Sequence, residues 1–499
     1  MSRSAHSLVP NYGIHWFRRD LRVAGNEALK WNWKQNDGRV VGLFCFDKDF
    51  LGRSDFSINR FQLFIHTLLE LQKELRELGS DLLVLDIGPF SAFPDLLKKL
   101  NAKPNLITWC RDYEPFARSR DQKAFELFVE YGIECKDFRD HLLIEPEELS
   151  KDDGTGYQVY SPFSRKWLEV FQTKEVQSRL KNIKNANNFL EERLRGKISK
   201  NLFKLNWEDV LKSHNLYPDI LKQYDVENSK KVTVEIPPAG SLNAFLKLKE
   251  FKNSLKDYGS HRDFPASQAT SGLSLYLKNG SITIPQVIEL LKLKPYKKKQ
   301  SSQDIFFSEL IWREFYYHIL YRHPYVEAGC FLKHFDKIKW PNNKKYFEAW
   351  KMGTTGFPIV DAGMRELNST GWMHNRVRMI VASFLTKDLL IDWRWGEKYF
   401  MEKLLDGDLA PNNGGWQWAA STGCDPQPYF RIFNPWLQSK KFDLKGEYIY
   451  KFIPELKNVD ANKLHEPILK HKIYPEPIVD HGTQRLTAIH MYEQAKNYA

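Results

Sequence analysis

The first third of the chain alternates two kinds of segment, and this alternation constrains the fold more than any other feature. Four apolar runs predict buried parallel strands: GIHWF, VVGLFCF, DLLVLDIG and NLITWC. Amphipathic stretches lie between them, such as residues 58–78, which show helical spacing and end at Gly79. We therefore predict a doubly wound α/β domain over residues 1–145.

The first predicted strand is not followed by a dinucleotide-binding fingerprint. HWFRRDLR stands where the glycines of GxGxxG would be needed to bring the backbone close to a pyrophosphate. A conventional dinucleotide site is therefore not predicted at this strand. Ligand binding elsewhere along the carboxyl edge of the sheet stays open.

The character of the sequence changes twice after residue 145. Residues 146–238 lack strand alternation and include the polar stretch ENSKKV and two consecutive prolines, which predicts a long surface connection with short helices. Residues 239–499 show helical patterns, in stretches such as SLNAFLKLKEFKNSLKDYG and DIFFSELIWREFYYHILYRHP. We predict that this second half is an all-helical domain.

Composition narrows the class of protein. The chain has 499 residues and a net charge of +12, which favours polyanions as partners but equally suits a basic surface kept for solubility. Its five cysteines include no CxxC pair, which favours a reduced cytoplasmic location and no zinc site. Neither the start MSRSAHSLVPNYGIHW nor any later run has the apolar length of a signal peptide or a membrane span.

Four stretches of the helical half carry side chains suited to chemistry. In SELIWREF, Glu309 and Trp312 share a helix face, which places a carboxylate beside a large ring. In GWMHNRVRMI, Asn375 and Met379 share a face, with two arginines beside them. LLDGDLAPNNGGWQW has two aspartates around a glycine, and RDFPASQATSGLS offers N–H and hydroxyl donors to a phosphate. Each stretch alone also has a structural interpretation as a capped turn, an ion pair or a solvated face.

The stretch NNGGWQWAAS raises a separate question. Trp416 and Trp418 are large apolar rings among asparagines and glycines, which favour turns and open backbone. The hydrophobic core is the usual place for any single tryptophan. A flat ligand with polar edges is the other surface that such rings could face.

Long segments of the chain resemble the photolyase/cryptochrome family, and within it the class I cyclobutane pyrimidine dimer photolyases. The segments are HWFRRDLRVAGNEAL, SELIWREFYYH, FPIVDAGMRELNSTGWMHNRVRMIVASFLTKDLLIDWRWGEKYF and LLDGDLAPNNGGWQWAASTGCDPQPYFRIFNP. The resemblance implies a flavoenzyme that splits pyrimidine dimers in DNA with blue light. Such splitting requires no general base and no metal ion.

The resemblance implies FAD as the cofactor of the helical domain. By similarity its binding residues are Tyr258, Thr270, Ser271, Gly272, Leu273, Ser274, Arg378, Asp406, Gly407, Asp408 and Asn412. Asp408 is expected at the edge of the isoalloxazine, and Asn412 near the flavin nitrogen that changes protonation on reduction. Asp406 is expected to pair with Arg378. The chain departs from the family at Gly272, where the family usually has arginine.

The resemblance also implies a pocket that receives a dimer flipped out of DNA. Its catalytic residues by similarity are Glu309, Trp312, Asn375, Met379 and Trp418. Glu309, protonated or hydrogen-bonded there, is expected to stabilise charge on the carbonyl oxygens of the dimer, and burial beside Trp312 would favour the protonated form. The contacts to the DNA backbone by similarity are Arg262, Arg376, Arg431 and Gln438. The lysines at 297–299 are expected to lie in a solvated loop.

Trp416, Trp393 and Trp340 resemble the family's tryptophan chain, which passes electrons from the surface to an oxidised flavin. For Trp393 and Trp340, a structural role as buried rings is the alternative. An antenna chromophore is implied in the first domain, where RDYEPFARSRD with Glu114 resembles a segment that lines its site. We expect 5,10-methenyltetrahydrofolate, with 8-hydroxy-5-deazaflavin as the alternative.

Three other members of the family define alternative functions. A cryptochrome photoreceptor often carries a long C-terminal extension, whereas this chain ends soon after the resemblance does. A (6-4) photolyase would show a histidine pair where MHNRVRM stands, and a DASH-type protein differs at the Trp312 and Met379 motifs. We therefore expect a monomeric enzyme whose partner is DNA that contains pyrimidine dimers.

Overall fold

The structure, a computed structural model, describes residues 11–205, 210–212, 219–425, 431–468 and 472–497. Two segments used above lie outside the described residues: MSRSAHSLVP at the start, and residues 426–430 within DPQPYFRIFNP. Within the described ranges, no helix combines the length and the apolar character needed to cross a membrane.

A five-stranded parallel sheet forms the first part of the chain, which confirms the predicted doubly wound domain. Its order is β3-β2-β1-β4-β5. The strands are β1 Gly13–Trp16, β2 Val40–Cys45, β3 Leu82–Leu85, β4 Leu106–Cys110 and β5 Glu134–Phe138. The chain winds outward in both directions from β1, where Gly13 pairs with Val40 of β2 and Leu106 of β4. The crevice at the carboxyl ends of β1 and β4 is therefore the natural ligand position.

The fifth strand escapes prediction because it lies at the edge of the sheet. ECKDF is only partly buried, whereas the other four strands are buried along their whole length. A strand covered on both faces requires an uninterrupted apolar run, but an edge strand does not. The charged side chains of β5 also discourage pairing with another chain.

Five helices cover the sheet. They are α1 Glu27–Gln35, α2 Lys48–Leu51, α3 Ile58–Glu77, α4 Pro89–Lys99 and α5 Pro115–Glu130. Helix α3 confirms the helix predicted over 58–78. It begins after Ser57, whose hydroxyl accepts a hydrogen bond from the Arg60 N–H, and it stops before Gly79, whose φ is +90°.

The segment after the sheet is more structured than a surface connection with short helices. It contains α6 Tyr160–Phe171, α7 Lys174–Leu194 and α8 Ile220–Ser229. Helix α6 buries Phe163 and Trp167 in a core shared with the helical half. The spacing of Tyr160, Phe163, Trp167 and Phe171 is helical, so the signal for α6 was present in the sequence.

The second half is helical, as predicted, and its described residues contain no strand. Its helices are α9 Ser241–Ser254, α10 Tyr258–His261, α11 Ser274–Asn279, α12 Ile284–Leu291, α13 Ser302–Arg322, α14 Lys344–Met352, α15 Pro358–Thr370, α16 Asn375–Lys387, α17 Trp393–Lys403, α18 Leu409–Ala420, α19 Pro435–Phe442, α20 Glu447–Phe452 and α21 His481–Asn497. Helices α13, α16, α17 and α18 pack together around the residues singled out in the sequence.

A buried carboxylate ties α13 to the connection. Glu314 accepts hydrogen bonds from the Leu143 N–H at 2.5 Å and from the indole N–H of Trp167 at 2.6 Å. Burial raises the pKa of Glu314 to about 7, although these hydrogen bonds oppose the shift. The helix that carries Glu309 and Trp312 is thereby fixed against the rest of the chain.

Candidate active site

The stretch NNGGWQWAAS is helical, in contrast to the open backbone that its asparagines and glycines suggest. It forms most of α18. Here the glycines serve close packing of the helix and not a turn. A Cβ on Gly414 would lie 2.0 Å from the ring of Tyr316 in α13. A Cβ on Gly415 would meet nothing within 4 Å, so α18 has an open side at this point.

Asn412 and Trp416 lie on the side of α18 that packs against α17. The Asn412 Nδ2 donates to the backbone carbonyl of Glu397 at 3.2 Å. Trp416 is buried, and a Cβ on Gly396 would lie 2.1 Å from its ring. Four residues separate Asn412 from Trp416, so an amide and a buried indole share one helix face.

Trp418 faces different surroundings. It is half-buried, and its ring is edge-on to Phe433 with the centroids 6.4 Å apart. Two residues along a helix turn the side-chain direction by about 200°, so Trp416 and Trp418 cannot share a face. The two tryptophans of the opening motif are therefore separated by the helix itself.

The rings around Trp416 form an aromatic cluster in the core. The centroid of the Trp416 ring lies 4.9 Å from that of Phe400 and 6.1 Å from that of Trp350. Trp393, the first residue of α17, is completely buried three residues before the glycine that meets Trp416. Trp340 is half-buried and edge-on to Tyr492 at 6.0 Å. Trp416 and Trp393 are thus both buried, whereas Trp340 is partly exposed.

The predicted phosphate donors lie in a loop and in the first turn of α11. Thr270, Ser271 and Ser274 are half-buried, whereas Leu273 is buried in the core. The Ser271 hydroxyl accepts a hydrogen bond from the Leu273 N–H at 3.4 Å. Within the described residues, the hydroxyls of Thr270 and Ser274 make no protein hydrogen bond and stay available to a ligand.

The backbone explains the glycine at position 272. Gly272 has a φ of +62°, in the left-handed region that a residue with a side chain adopts only with strain. A Cβ there would lie 3.1 Å from the Cε of Lys247 in α9. The cation that the family usually carries at this position is absent, and a lysine of the neighbouring helix lies beside the gap.

Tyr258 is buried in an aromatic cluster. Its ring is edge-on to Phe251 and Phe306, with centroids 5.7 and 5.3 Å away. Burial and the charge of Glu309 raise its pKa, so its phenol is neutral at physiological pH. The guanidinium of Arg262 lies 5.3 Å from the ring centroid.

Arg378 and Asp406 form the ion pair that the sequence predicts. Their closest atoms, Nη2 and Oδ2, are 2.9 Å apart, and the Arg378 Nε donates to the backbone carbonyl of Met373. The next residue, Gly407, has no room for a side chain, because a Cβ there would lie 2.5 Å from the Arg60 Nη1 of α3. This glycine therefore allows the helical half to approach the sheet domain.

The Asp408 carboxylate belongs to a buried ion cluster between the two halves. It accepts hydrogen bonds from the phenol of Tyr317 at 2.7 Å and from Arg19 at 3.1 Å, and it pairs with Arg313 at 2.7 Å. We call these four residues the Asp408 cluster. Burial alone would raise the pKa of Asp408, but the charges of Arg19 and Arg313 lower it well below its usual range. The expected position of this carboxylate at the flavin edge stays a prediction.

Glu309 is less buried than the sequence predicts. Its carboxylate is not enclosed beside Trp312; one third of the side chain is exposed, and its Oε1 lies 2.6 Å from the Nη1 of Arg262. Burial lowers the pKa of Arg262, but the hydrogen bond and charge of Glu309 outweigh it, and the net shift is upward. The structure therefore shows a partly exposed carboxyl that is hydrogen-bonded to Arg262, where the sequence predicts burial beside Trp312.

Trp312 lies next to this pair with one face covered. Its ring stacks on that of Tyr160, with centroids 3.6 Å apart and planes within 5°. Tyr160 belongs to α6, in the segment that the sequence analysis assigned to a surface connection. The contact of Tyr160 with Trp312 could not be predicted, since no local signal connects residues 152 positions apart.

Asn375 and Met379 share a face of α16, as their spacing predicts. The Asn375 Nδ2 lies 4.0 Å from the Met379 Sδ. Asn375 is exposed, and Met379 is half-buried against the core that also contacts Trp418. An amide and a flexible apolar side chain therefore stand together at the protein surface.

The four residues predicted to contact DNA lie at or near the surface. Arg376 pairs with Asp263 at 2.9 Å, and Arg262 pairs with Glu309. We call Trp312, Glu309, Arg262, Arg376 and Asp263 the Trp312 face. Arg431 is exposed, and Gln438 in α19 is half-buried with its Oε1 lacking a protein partner among the described residues.

The lysine run at 297–299 is exposed, but Lys299 is not an isolated solvated charge. Its ammonium lies 5.7 Å from the ring centroid of Tyr160. Partial burial lowers its pKa, while the charge of Glu309 opposes this shift. Lys299 therefore adds positive charge at the border of the Trp312 face.

A cavity of about 230 Å³ lies at the carboxyl edge of the sheet, against the helical half. Its apolar walls include Trp16, Phe44, Phe46 and Phe61, and its charged residues include Arg18, Arg19, Arg53, Arg120, Lys278, Asp112 and Glu114. Glu114 pairs with Arg19 at 2.9 Å. Burial and the charge of Asp112 raise the pKa of Glu114. The cavity thus suits a flat apolar group with an anionic end.

Comparison with known proteins covers both halves of the chain. A family described as "DNA photolyase" matches residues 13–181, and one described as "FAD binding domain of DNA photolyase" matches residues 306–494. A Vibrio cholerae protein named deoxyribodipyrimidine photo-lyase is 38% identical over 493 residues, covering 96% of this chain and 99% of that protein.

Two solved structures superpose on nearly the whole chain. An archaeal photolyase from Sulfolobus tokodaii, described with two FAD molecules, is 33% identical with a TM-score of 0.76, and 97% of this chain and 99% of that one are covered. A cryptochrome from Synechocystis is 25% identical with a TM-score of 0.80, and 98% of this chain and 100% of that one are covered.

Proposed function

This chain belongs to the DNA photolyase family, and from that premise we propose that it splits cyclobutane pyrimidine dimers in DNA with the energy of light. It is a carbon–carbon lyase of the deoxyribodipyrimidine photo-lyase type. The observation that carries this proposal is α18. This one helix presents an amide, a buried indole and a half-buried indole, at Asn412, Trp416 and Trp418.

The residues of the helical half fit FAD. The open side of α18 at Gly415 leaves room for a flat ring, and Thr270 and Ser274 keep hydroxyls free for phosphate oxygens. Lys247, beside Gly272, supplies positive charge near the same loop. When bound, FAD supplies the light absorption and the single-electron chemistry that dimer splitting requires.

Asn412 is held ready for a hydrogen bond to the ligand. Its Nδ2 is fixed by the Glu397 carbonyl, so its Oδ1 is free to accept from a flavin N–H. Asn413 donates to the Glu397 carboxyl at 3.0 Å. Burial raises the pKa of Glu397 to about 8, against this hydrogen bond, so the carboxyl keeps its proton at neutral pH.

The Trp312 face and Trp418 form the site for the extruded dimer. The exposed parts of the two indoles provide flat apolar walls, and Met379 adapts to the shape of the lesion. Asn375 offers donors and an acceptor to the base edges. A phosphate that binds Arg262 displaces Glu309, whose carboxyl is then released toward the lesion.

Arg262, Arg376, Arg431 and Gln438 hold the DNA backbone around the lesion. Their position at the surface and the chain's net charge of +12 suit phosphate neutralisation. Such contacts fix the register of the DNA and carry no sequence information. The aromatic walls of the pocket, and not the arginines, therefore select the lesion.

Trp416, Trp393 and Trp340 relay electrons from the surface to an oxidised flavin. Trp416 lies on the same helix face as Asn412, Trp393 is in the core beside it, and Trp340 is half-buried. The three rings thus span the distance from the cofactor residues to solvent. Repair by a flavin that is already reduced does not need them.

The sheet-edge cavity holds a second, light-harvesting chromophore. Its aromatic walls accept a planar ring system, and its arginines accept an anionic tail. The folate expected from the sequence and an 8-hydroxy-5-deazaflavin both meet this description. The absorption spectrum of the purified protein and the mass of the released chromophore distinguish the two.

The proposal covers partners and location as well. The partner is DNA that contains pyrimidine dimers, engaged by a monomer in the cytoplasm or, in a bacterial cell, on the nucleoid. Sedimentation with and without damaged duplex tests the monomer. The domain limits at residues 145 and 239 also stay predictions, which limited proteolysis tests.

The direct test is repair of a defined lesion. Purified protein with chemically reduced flavin is mixed with an oligonucleotide that carries one cyclobutane thymine dimer, and dimer loss is followed by chromatography in blue light and in darkness. We expect repair in light only, and none of a (6-4) lesion. Efficient photoreduction of the flavin without dimer loss would instead support a cryptochrome-type photoreceptor.

A further inference from the structure

The stack of Tyr160 on Trp312 has an unusual geometry. Aromatic pairs prefer offset or edge-to-face arrangements to a face-to-face sandwich, and their centroids usually lie 4.5 to 7 Å apart. Here the planes differ by 5° and the centroids are 3.6 Å apart. The two rings therefore do not set this arrangement by themselves, and the surrounding contacts hold them in it.

Tyr160 is the fixed partner of the stack. It is 5% exposed, its phenol donates to the Ser308 carbonyl at 2.9 Å, and its oxygen lies 2.7 Å from the Ser308 Oγ. The edge of Phe315 closes another side, with centroids 5.8 Å apart. Trp312 is half-buried and has no such anchor for its indole N–H among the described residues. Its plane consequently follows that of Tyr160.

The anchor and the stack lie on the same helix. Ser308 and Trp312 are four residues apart in α13 and share a face, so Tyr160 contacts two successive turns. One contact, through the phenol, fixes its height along α13, and the other, through the ring, fixes the indole plane. Tyr160 thereby covers one face of Trp312, and Phe315 and Tyr316 contact the indole with ring centroids 5.6 and 5.7 Å away, so that part of the ring stays accessible.

We infer that Tyr160 is a positioning residue for dimer recognition, which holds the Trp312 indole in the plane against which an extruded dimer stacks. This inference rests on the proposed function, in which Trp312 is a wall of the lesion pocket. Tyr160 itself does not touch the dimer. Its contribution is preorganisation, because a ring already fixed in its bound orientation loses less conformational entropy when the lesion binds.

The experiment compares substitutions at Tyr160 in dark binding to oligonucleotides with and without one cyclobutane dimer. Tyr160→Leu removes the flat ring, whereas Tyr160→Phe keeps the ring and removes only the anchor. We expect Tyr160→Leu to weaken dimer binding about tenfold, within the range for loss of a base–aromatic stack, and to leave binding of undamaged DNA unchanged. Tyr160→Phe should retain most of the dimer affinity. Tyr157→Leu, three residues upstream and in ring contact with Phe163, is the matched control that should bind as the wild type does.

A double-mutant comparison separates this inference from the proposed function. In a Trp312→Ala background, Tyr160→Leu should cause no further loss, because the ring that it positions is gone. If Trp312→Ala weakens dimer binding while Tyr160→Leu does not, the positioning role is wrong and the lesion pocket stands. If Trp312→Ala itself binds dimers normally, the pocket assignment is wrong.

The fold of each variant is checked by thermal unfolding and bound flavin. If Tyr160→Leu does not fold, Tyr160→Met, which keeps volume without a flat face, takes its place with the same expected loss. Equal losses for damaged and undamaged DNA would overturn the inference, because they would indicate a general structural role.

Discussion

The Asp408 cluster and the Trp312 face are both built from arginines and carboxylates, but they differ in the exposure of the carboxylate. The Asp408 side chain is 3% exposed, whereas those of Glu309 and Asp263 are 33% and 40% exposed. A carboxylate in contact with water can be replaced by an incoming phosphate, but removing a buried one leaves cations without a partner. The chain thus has one permanent and one exchangeable set of ion pairs, and DNA is expected at the second.

The largest expected effect breaks the permanent set. Asp408→Asn leaves Arg313 without its buried anion and Arg19 with only Glu114 and Asp112, and we expect a loss of about 3–5 kcal/mol in the free energy of unfolding. Urea denaturation of the holoprotein measures it. Asp95→Asn, which removes a surface pair with Lys99, is the control and should cost less than about 1 kcal/mol. Equal losses in both variants would remove the distinction between the two sets.

The next effect concerns the aromatic part of the Trp312 face. Trp312→Ala removes a stacking surface, and we expect dimer affinity to fall by about 1–3 kcal/mol while flavin photoreduction stays intact. Dark binding to a dimer-containing oligonucleotide measures the loss. Trp31→Ala in the sheet domain controls for tryptophan loss in general. Unchanged affinity would mean that the exchangeable face does not receive the lesion.

Trp340→Phe tests whether the core tryptophans act apart from both charged regions. We expect photoreduction of an oxidised flavin to slow at least several-fold, because the outermost ring of the relay is replaced by one that is harder to oxidise. Repair with chemically reduced flavin should stay near the wild-type rate. The two rates are measured from defined flavin states. Loss of repair with reduced flavin would contradict the relay assignment.

Arg376→Ala sharpens the idea of exchange. If Arg376 releases Asp263 for a phosphate, the variant should bind damaged and undamaged DNA more weakly by a similar factor. The slope of log affinity against log salt should decrease in magnitude by about 0.9. Arg193 lies in the connection and pairs with Glu77 of α3. Arg193→Ala, the control, should leave the slope unchanged. An unchanged slope for Arg376→Ala would place the phosphate elsewhere.

A separate effect is a pH dependence of stability from Glu397, which belongs to neither set. Its pKa of about 8 in the folded protein exceeds the value of about 4.3 in the unfolded chain. The stability from this proton is therefore complete below about pH 4 and is lost as the pH rises through 8. Relative to wild type, Glu397→Gln should gain stability between pH 5 and 8. An equal difference in the free energy of unfolding between Glu397→Gln and wild type at pH 5 and at pH 8 would contradict the buried, protonated carboxyl.

The sequence predicted those features that depend on neighbours along the chain. The four buried strands, α3 and the shared face of Asn375 and Met379 follow from apolar periodicity and spacing. The pairing of Arg378 with Asp406 came from family resemblance. Strand β5 was missed because an edge strand lacks a continuous apolar run.

Features that depend on distant partners could not be predicted from the sequence. The expected burial of Glu309 beside Trp312 was wrong because Arg262, 47 positions earlier, contacts it only in the folded chain. Asp408 likewise acquires Arg19 from the first strand's loop, 389 positions away. Local patterns identify which residues carry chemistry, but burial and ion pairing, which decide their state, arise from tertiary contacts.

Helix α18 has a further consequence for how this protein can vary. Asn412, Trp416 and Trp418 are assigned to the cofactor, the electron relay and the lesion, and they occupy less than two turns of one helix. Inserting or deleting one residue after Asn412 would rotate everything beyond it by about 100°. Trp416 and Trp418 would then both lose their register with Asn412, even though every side chain would still be present. The length of this segment is therefore as constrained as its side chains.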